Sequence, residues 1–206
     1  MKTTSRILSM VLALVMVFSL SVTAFATDGT PRVDVTVKSS TGATVKSFSI
    51  TDNVTVDKSV YSVVNGYKAQ GAAKWNTVTD YYDPNITHKV LETYAGYTTR
   101  VLNTSDAADL ARVRTEVKKQ GYTDADVDGI VWLSGQYAGY GLLKTTTSGT
   151  TTTYTYVYAG YAWTYNSNLK SEIWDYMCCY KLSAGEVVNL TYDFNVSVFP
   201  RTTPLG

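Results

Sequence analysis

The sequence predicts an α+β fold: a single domain on a predominantly antiparallel β-sheet, with about three short helices in the first half. Three observations predict it. Apolar and polar residues alternate near the start, at Val33, Val35 and Val37. Apolar residues then recur at helical spacing through the middle, and threonine- and tyrosine-rich runs suited to cross-strand pairing fill the last third.

The chain has 206 residues and opens with Lys2 and Arg6 ahead of an apolar run from Ile7 to Leu20, closing on Ala24-Phe25-Ala26. This is the pattern of a secretory signal peptide over residues 1–26, followed by one secreted domain over 27–206. The run is shorter than the ~20 residues of a spanning helix, so no membrane span is expected after cleavage. The carboxyl end, PRTTPLG, shows neither a sorting motif nor an apolar tail, which agrees with release into the medium or non-covalent retention at the surface.

Each element follows from local pattern. Val33, Val35 and Val37 alternate with Asp34, Thr36 and Lys38; after "SSTGAT", Val45, Phe48 and Ile50 complete a hairpin. Val60, Val63, Val64 and Tyr67 change the period to that of a helix, with Asp57 as its cap and Asn65-Gly66 as its end. A second helix is expected from Asn85, with Ile86, Val90, Leu91 and Tyr94 on its apolar face and His88 off that face, at the surface. A third starts at Ser105, turns Leu110, Val113 and Val117 inward, places Lys118 and Lys119 in its last turn and stops at Gly121. Strands follow: Ser148-Gly149 turns one hairpin, a further turn falls at Ser183 to Gly185, and Val187 to Phe199 forms a long strand.

With Lys2 and Arg6 removed, 16 of the 18 basic residues face 17 acidic ones, a formal charge near −1 that gives no footprint for nucleic acid. The only cysteines, Cys178 and Cys179, are adjacent. Neighbouring Cα atoms lie ~3.8 Å apart, short of the ~4.4 Å that ordinary disulfides need, so a bond between them would be strained. Two readings stand: a strand with one sulfur in the core and one outside, or a strained redox or ligand-contacting ring.

Ala162-Trp163-Thr164-Tyr165-Asn166-Ser167-Asn168, an aromatic strand entering an Asn-containing turn, and the hairpin Tyr180-Lys181-Leu182-Ser183-Ala184-Gly185-Glu186-Val187-Val188 carry a resemblance. They resemble a family of secreted bacterial domains of unknown function related to the carboxyl-terminal domain of transcobalamin. That family's Asn-Gly turn reads Asn166-Ser167-Asn168 here, and the segment from Pro84 to Lys119 is larger than a minimal member needs. The resemblance implies an α+β fold and brings no catalytic residue. Nor does it bring cobalamin, which the vertebrate carriers hold between two domains.

Motif chemistry is sparse. Asp124, Asp126 and Asp128 precede Gly129 in "TDADVDG" and match the first half of a calcium loop, but Gly135 stands where the bidentate glutamate belongs. They are read either as a calcium site or as the acidic first turn of a short helix. His88 is the only histidine, so any nucleophilic triad must converge on it, and neither a G-x-S-x-G nor an H-E-x-x-H motif is present.

Aromatic residues are the surplus: 17 Tyr and 4 Trp, with "YAGY" at 94–97, 137–140 and 158–161. Unrelated flanks show that the copies are not modular repeats, and Ala-Gly between tyrosines admits a close backbone or ring, so packing is expected for most of these rings, with an exposed aromatic face as the alternative. The expected function is a non-catalytic binding module without a cofactor, calcium aside, using Tyr137, Tyr140, Tyr154, Tyr156, Tyr158, Tyr161 and Trp163 to engage a protein, glycan or small ligand. The alternatives are an extracellular hydrolase and a structural spacer.

Overall fold

The computed structural model describes residues 29–80, 82–173 and 175–205; the expected signal segment lies outside them. In chain order the strands are β1 (Arg32–Lys38), β2 (Thr44–Ile50), β3 (Lys74–Thr79), β4 (Thr87–Tyr94), β5 (Tyr97–Thr98), β6 (Arg100–Val101), β7 (Val131–Trp132), β8 (Tyr140–Ser148), β9 (Thr151–Ser167) and β10 (Val187–Arg201). Three α-helices occur among the described residues: α1 (Val60–Gly66), α2 (Ala107–Lys119) and α3 (Asp124–Asp128).

Alternation makes the first hairpin and the spine of the core. Val33, Val35 and Val37 are buried, and β1 pairs antiparallel with β2. On its other edge β1 runs parallel to β10, with Val33 beside Val188 and Val35 beside Leu190. The main sheet, in the order β2-β1-β10-β9-β8-β7 with β6 also on β9, is therefore mixed, not purely antiparallel. Alternation in a sequence fixes which side chains share a face; it carries no information on strand direction. Residues 39–186 separate β1 from β10, ample length for a parallel return.

The core lies on one face of that sheet. Val157, Ala159, Tyr161 and Trp163 of β9 pack with Val188, Leu190, Tyr192 and Phe194 of β10 and the valines of β1. Val113 and Val117 of α2 and Val60 and Val64 of α1 are buried in the same cluster. The caps of both helices lie one or two residues past the expected ones. Ser59 accepts the N–H of Ser62 at the head of α1, and Asp106 accepts those of Ala108 and Asp109 at the head of α2.

Two expectations are corrected. Residues 87–94 are the middle strand of a second sheet, β3-β4-β5, so only α1 lies in the first half and α2 and α3 follow it. A bulge, a register shift in which Trp75 faces Leu91 but Lys74 faces Thr93, lets Leu91 and Tyr94 share the buried side three residues apart, while Val90 is exposed. "DPN" is a turn and not a cap: Asp80 accepts the N–H groups of Tyr82 and Asp83, and Asp83 accepts that of Asn85.

Each "YAGY" has its own backbone reason. Ala95 (φ 52°) and Gly96 (φ 91°) form the two-residue turn between Tyr94 and Tyr97. Gly139 (φ 86°) turns the chain beside Val101. Gly160 lies where β6 pairs with β9, and an added Cβ would stand 2.7 Å from Arg100 O. Among the described residues, no helix is long and apolar enough to cross a membrane.

Candidate functional site

The seven expected aromatic residues divide between the two faces of the β8–β9 part of the main sheet, Tyr140 on β8, Tyr137 just before it and the other five on β9. Tyr154, Tyr156 and Tyr158 share one face; Tyr140 stands opposite Tyr158, and Phe199 opposite Tyr156. The rings of Tyr140 and Tyr158 are 4.7 Å apart, those of Tyr137 and Tyr140 6.3 Å, and those of Tyr156 and Phe199 6.2 Å. Tyr137, Tyr140, Tyr154 and Tyr158 remain half-buried, whereas Tyr156 is sealed and its hydroxyl accepts Leu205 N–H at 2.9 Å. Tyr161 and Trp163 are odd-numbered and point into the core. The Tyr161 hydroxyl donates to Asp109 at 3.1 Å, and Trp163 Nε1 donates to Tyr97 O at 3.3 Å. A single aromatic surface carrying all seven is thus corrected by the two-residue period of an unbroken strand.

Asp124, Asp126 and Asp128 form α3, the second of their two readings. Asp126 closes a capping box with Thr123, accepting both its N–H (2.9 Å) and its hydroxyl (2.7 Å). Asp124 accepts from Arg114 at 2.6 Å and Lys118 at 2.8 Å, and Asp128 accepts from Arg114. The cations beside Asp124, Lys118 first, hold its carboxyl below the usual range. Among the described residues these three do not form a group of donors within ligand range of one another.

One group does. His88 on β4 meets Cys178 and Cys179, its ligand atoms and theirs lying within 4.8 Å of one another. Its Nδ1 is 3.7 Å from Cys178 Sγ and 3.4 Å from Cys179 Sγ, and the two sulfurs are 3.4 Å apart. Its Nε2 is 2.9 Å from Asp80 Oδ2, so the carboxylate that closes the β3–β4 loop also fixes the imidazole. The Tyr176 ring stacks on the imidazole, centroids 4.0 Å apart and planes 7° from parallel. The expected surface histidine is therefore 8% exposed. The cysteines lie in a tight turn and not a strand: Cys179 N–H and Tyr180 N–H both donate to Tyr176 O, at 2.8 and 3.0 Å. That turn docks on the head of α1, where Tyr61 N–H donates to Met177 O and Val60 N–H to Tyr180 O.

Electrostatics polarise the group. N–H donors from Asp83 and Tyr82, with His88 behind them, hold Asp80 below the ordinary carboxyl value. The Cys178 sulfur, seconded by Asp80 and working against burial, raises His88. Burial resists ionisation at Cys178, but Lys89 N–H at 3.4 Å, His88 and Cys179 outweigh it and lower this thiol. Burial and the neighbouring sulfur raise Cys179. One sulfur is thus tuned towards thiolate and the other is exposed, chemistry suited to a nucleophile or to a soft cation.

Sequence reasoning missed this site because its spacing is not local. The available signal was scarcity: one histidine, and two cysteines side by side, in the whole chain. No protein-family model, curated protein or solved structure matches this chain.

Proposed function

We propose that this chain is an exported, non-catalytic binding module that engages a neutral glycan through the tyrosine- and threonine-bearing face of the β8–β9 ribbon. The observation that carries this reading is a single face holding half-buried Tyr140, Tyr154 and Tyr158 together with threonines. Thr145 stands opposite Tyr154 and Thr147 opposite Thr152, with Arg201 at the margin beside Tyr154. Such rings offer flat apolar area with a hydroxyl at the tip, and the threonines add donors and acceptors, the two things a sugar ring presents in return. The basic, apolar and small-residue order of the first 26 residues supports export. The motif resemblance to secreted transcobalamin-related domains supports the same setting and supplies no ligand.

Retention on insoluble cell-wall polysaccharide tests it. A Tyr154→Ala/Tyr158→Ala variant is expected to wash through while its circular dichroism matches the parent; retention equal to the parent rejects the assignment. Tyr156 is left intact, because its buried ring and its contact with Leu205 N–H belong to the fold.

A hydrolase is the second reading, and one observation favours it: Asp80, His88 and Cys178 stand in the order orienting acid, base, nucleophile. Ester or peptide turnover abolished by Cys178→Ala supports it.

A further inference from the structure

We infer that His88, Cys178 and Cys179 form a three-ligand site for a thiophilic divalent cation of the zinc type, with Asp80 as the group that orients the histidine. This stands apart from the glycan reading and uses none of its residues.

The first argument is the shape of the donor triangle. Zinc binds thiolate sulfur at ~2.3 Å and imidazole nitrogen at ~2.0–2.1 Å. At tetrahedral angles those bonds set neighbouring donors about 3.5 to 3.8 Å apart. The three separations here are 3.4, 3.4 and 3.7 Å, each within a few tenths of an ångström of those values, so a small spreading of the two sulfurs gives one face of a zinc tetrahedron. A lone nucleophile needs one sulfur beside the base. Here His88 Nδ1 has two at nearly equal range.

The second argument is the support around the ligands. Ligating histidines ordinarily give their other ring nitrogen to a carboxylate, which fixes the tautomer, and Asp80 Oδ2 stands 2.9 Å from Nε2. Asp80 is held in turn by the N–H groups of Tyr82 and Asp83 at 2.8 and 2.9 Å. Tyr176 stacks on the imidazole, centroids 4.0 Å apart, and holds its plane. Lys89 N–H points at Cys178 Sγ, a donor that a metal-bound thiolate accepts. Ligand, orienting acid and its own donors are thus all in place before any ion arrives.

The third argument is position. The ligands come from the β3–β4 hairpin and from the turn after β9, joining the small sheet to the chain segment docked on α1. A bound ion pins these two parts together. Cys179 is exposed, and with three protein donors the fourth ligand is left to water or to a donor from a bound molecule. Two thiolates balance the charge of one divalent cation, and their coordination releases the thiol protons.

The test uses the purified full chain, kept reduced. Zinc titration by calorimetry is expected to give one ion per chain with proton release, and cobalt in its place is expected to give the intense visible bands of a tetrahedral thiolate complex. Cys178→Ser/Cys179→Ser is expected to abolish binding and Asp80→Asn to weaken it about 10- to 100-fold. Absence of zinc binding at micromolar concentration, or unchanged binding in the double-serine variant, overturns the site. X-ray absorption on the zinc-loaded parent protein decides independently of any variant. Two sulfurs near ~2.3 Å and a nitrogen near ~2.0 Å are expected, and a shell of oxygen and nitrogen alone overturns the assignment.

Discussion

Asp124, Asp126 and Asp128 fall within one five-residue helix and split, two onto Arg114 and one onto Thr123, while His88 and the cysteines, 90 and 91 residues apart in the chain, meet within hydrogen-bonding range. The helix itself disperses the first group. At ~3.6 residues per turn, positions i and i+4 share a side, so Asp124 and Asp128 both reach Arg114, while Asp126 is rotated away and folds back on Thr123. A tight turn and a strand end, each held by its own backbone bonds, assemble the second. Proximity in sequence places side chains on a common element; convergence on a point requires elements that cross.

The largest expected effect that sharpens this comparison lies at Asp109, another carboxylate gathered by tertiary structure. Its side chain is wholly buried and accepts from Arg100 (2.7 and 3.1 Å), from Asn103 N–H (3.2 Å) and from the Tyr161 hydroxyl (3.1 Å). Asp109→Ala leaves those donors unpaired and is expected to cost about 3 kcal/mol in urea unfolding. That is the low end for a broken buried pair, because the Arg100 side chain keeps 42% of its surface exposed and can rehydrate. A loss no larger than that of an Asp124→Ala variant would erase the distinction between gathered and dispersed acids.

Acid titration comes next. Burial opposes ionisation of both Asp109 and Glu186, yet Arg100 on the first, and Ser167, Tyr180 and Ser183 N–H on the second, hold both below their ordinary values. A carboxyl whose folded value is depressed adds stability that is present in full above its unfolded value, ~3.9 for Asp and ~4.3 for Glu, and is lost as pH falls through the folded one. The melting temperature is therefore expected to hold above about pH 5 and to fall steeply below pH 4. Asp109→Asn is expected to flatten that fall; an identical acid limb in the variant would remove Asp109 from the account.

The smallest effect belongs to the dispersed acids. Asp126→Ala is expected to lower the melting temperature slightly, through loss of the capping box. Millimolar calcium is expected to leave both the parent and this variant unmoved, whereas zinc raises the parent's melting temperature. A calcium-dependent rise that Asp126→Ala abolishes would reverse the ranking of the two clusters.

Local pattern made most elements legible. The hairpin of β1 and β2, the helices α1 and α2, the turn at Ser148-Gly149 and the long last strand each rest on a period or a cap within a few residues. The hairpin motif from Tyr180 to Glu186 was legible as a turn, and its acid proves to be buried, accepting from the Tyr180 and Ser167 hydroxyls and Ser183 N–H. Residues 86–94 misled because a β-bulge sets Leu91 and Tyr94 three apart on the buried side, Ile86 and Val90 are exposed, and Thr87, Val90 and Thr93 find their strand partner only across the β3–β4 hairpin. The aromatic face was half legible: alternation grouped Tyr154, Tyr156 and Tyr158, but burial of Tyr156 depends on Phe199 and the backbone of Leu205.

By itself the sequence determined the strand faces, the helix stripes, the turn chemistry and the reserves of tyrosine, threonine and thiol the chain would have to place. Only the tertiary structure decided that β1 lies parallel to β10, which rings keep contact with water, and that one imidazole faces two sulfurs with a carboxylate behind it. Side-chain periodicity is a property of the backbone and is written locally. Strand direction and the meeting of distant donors arise from how whole elements pack, and no window along the chain contains that information.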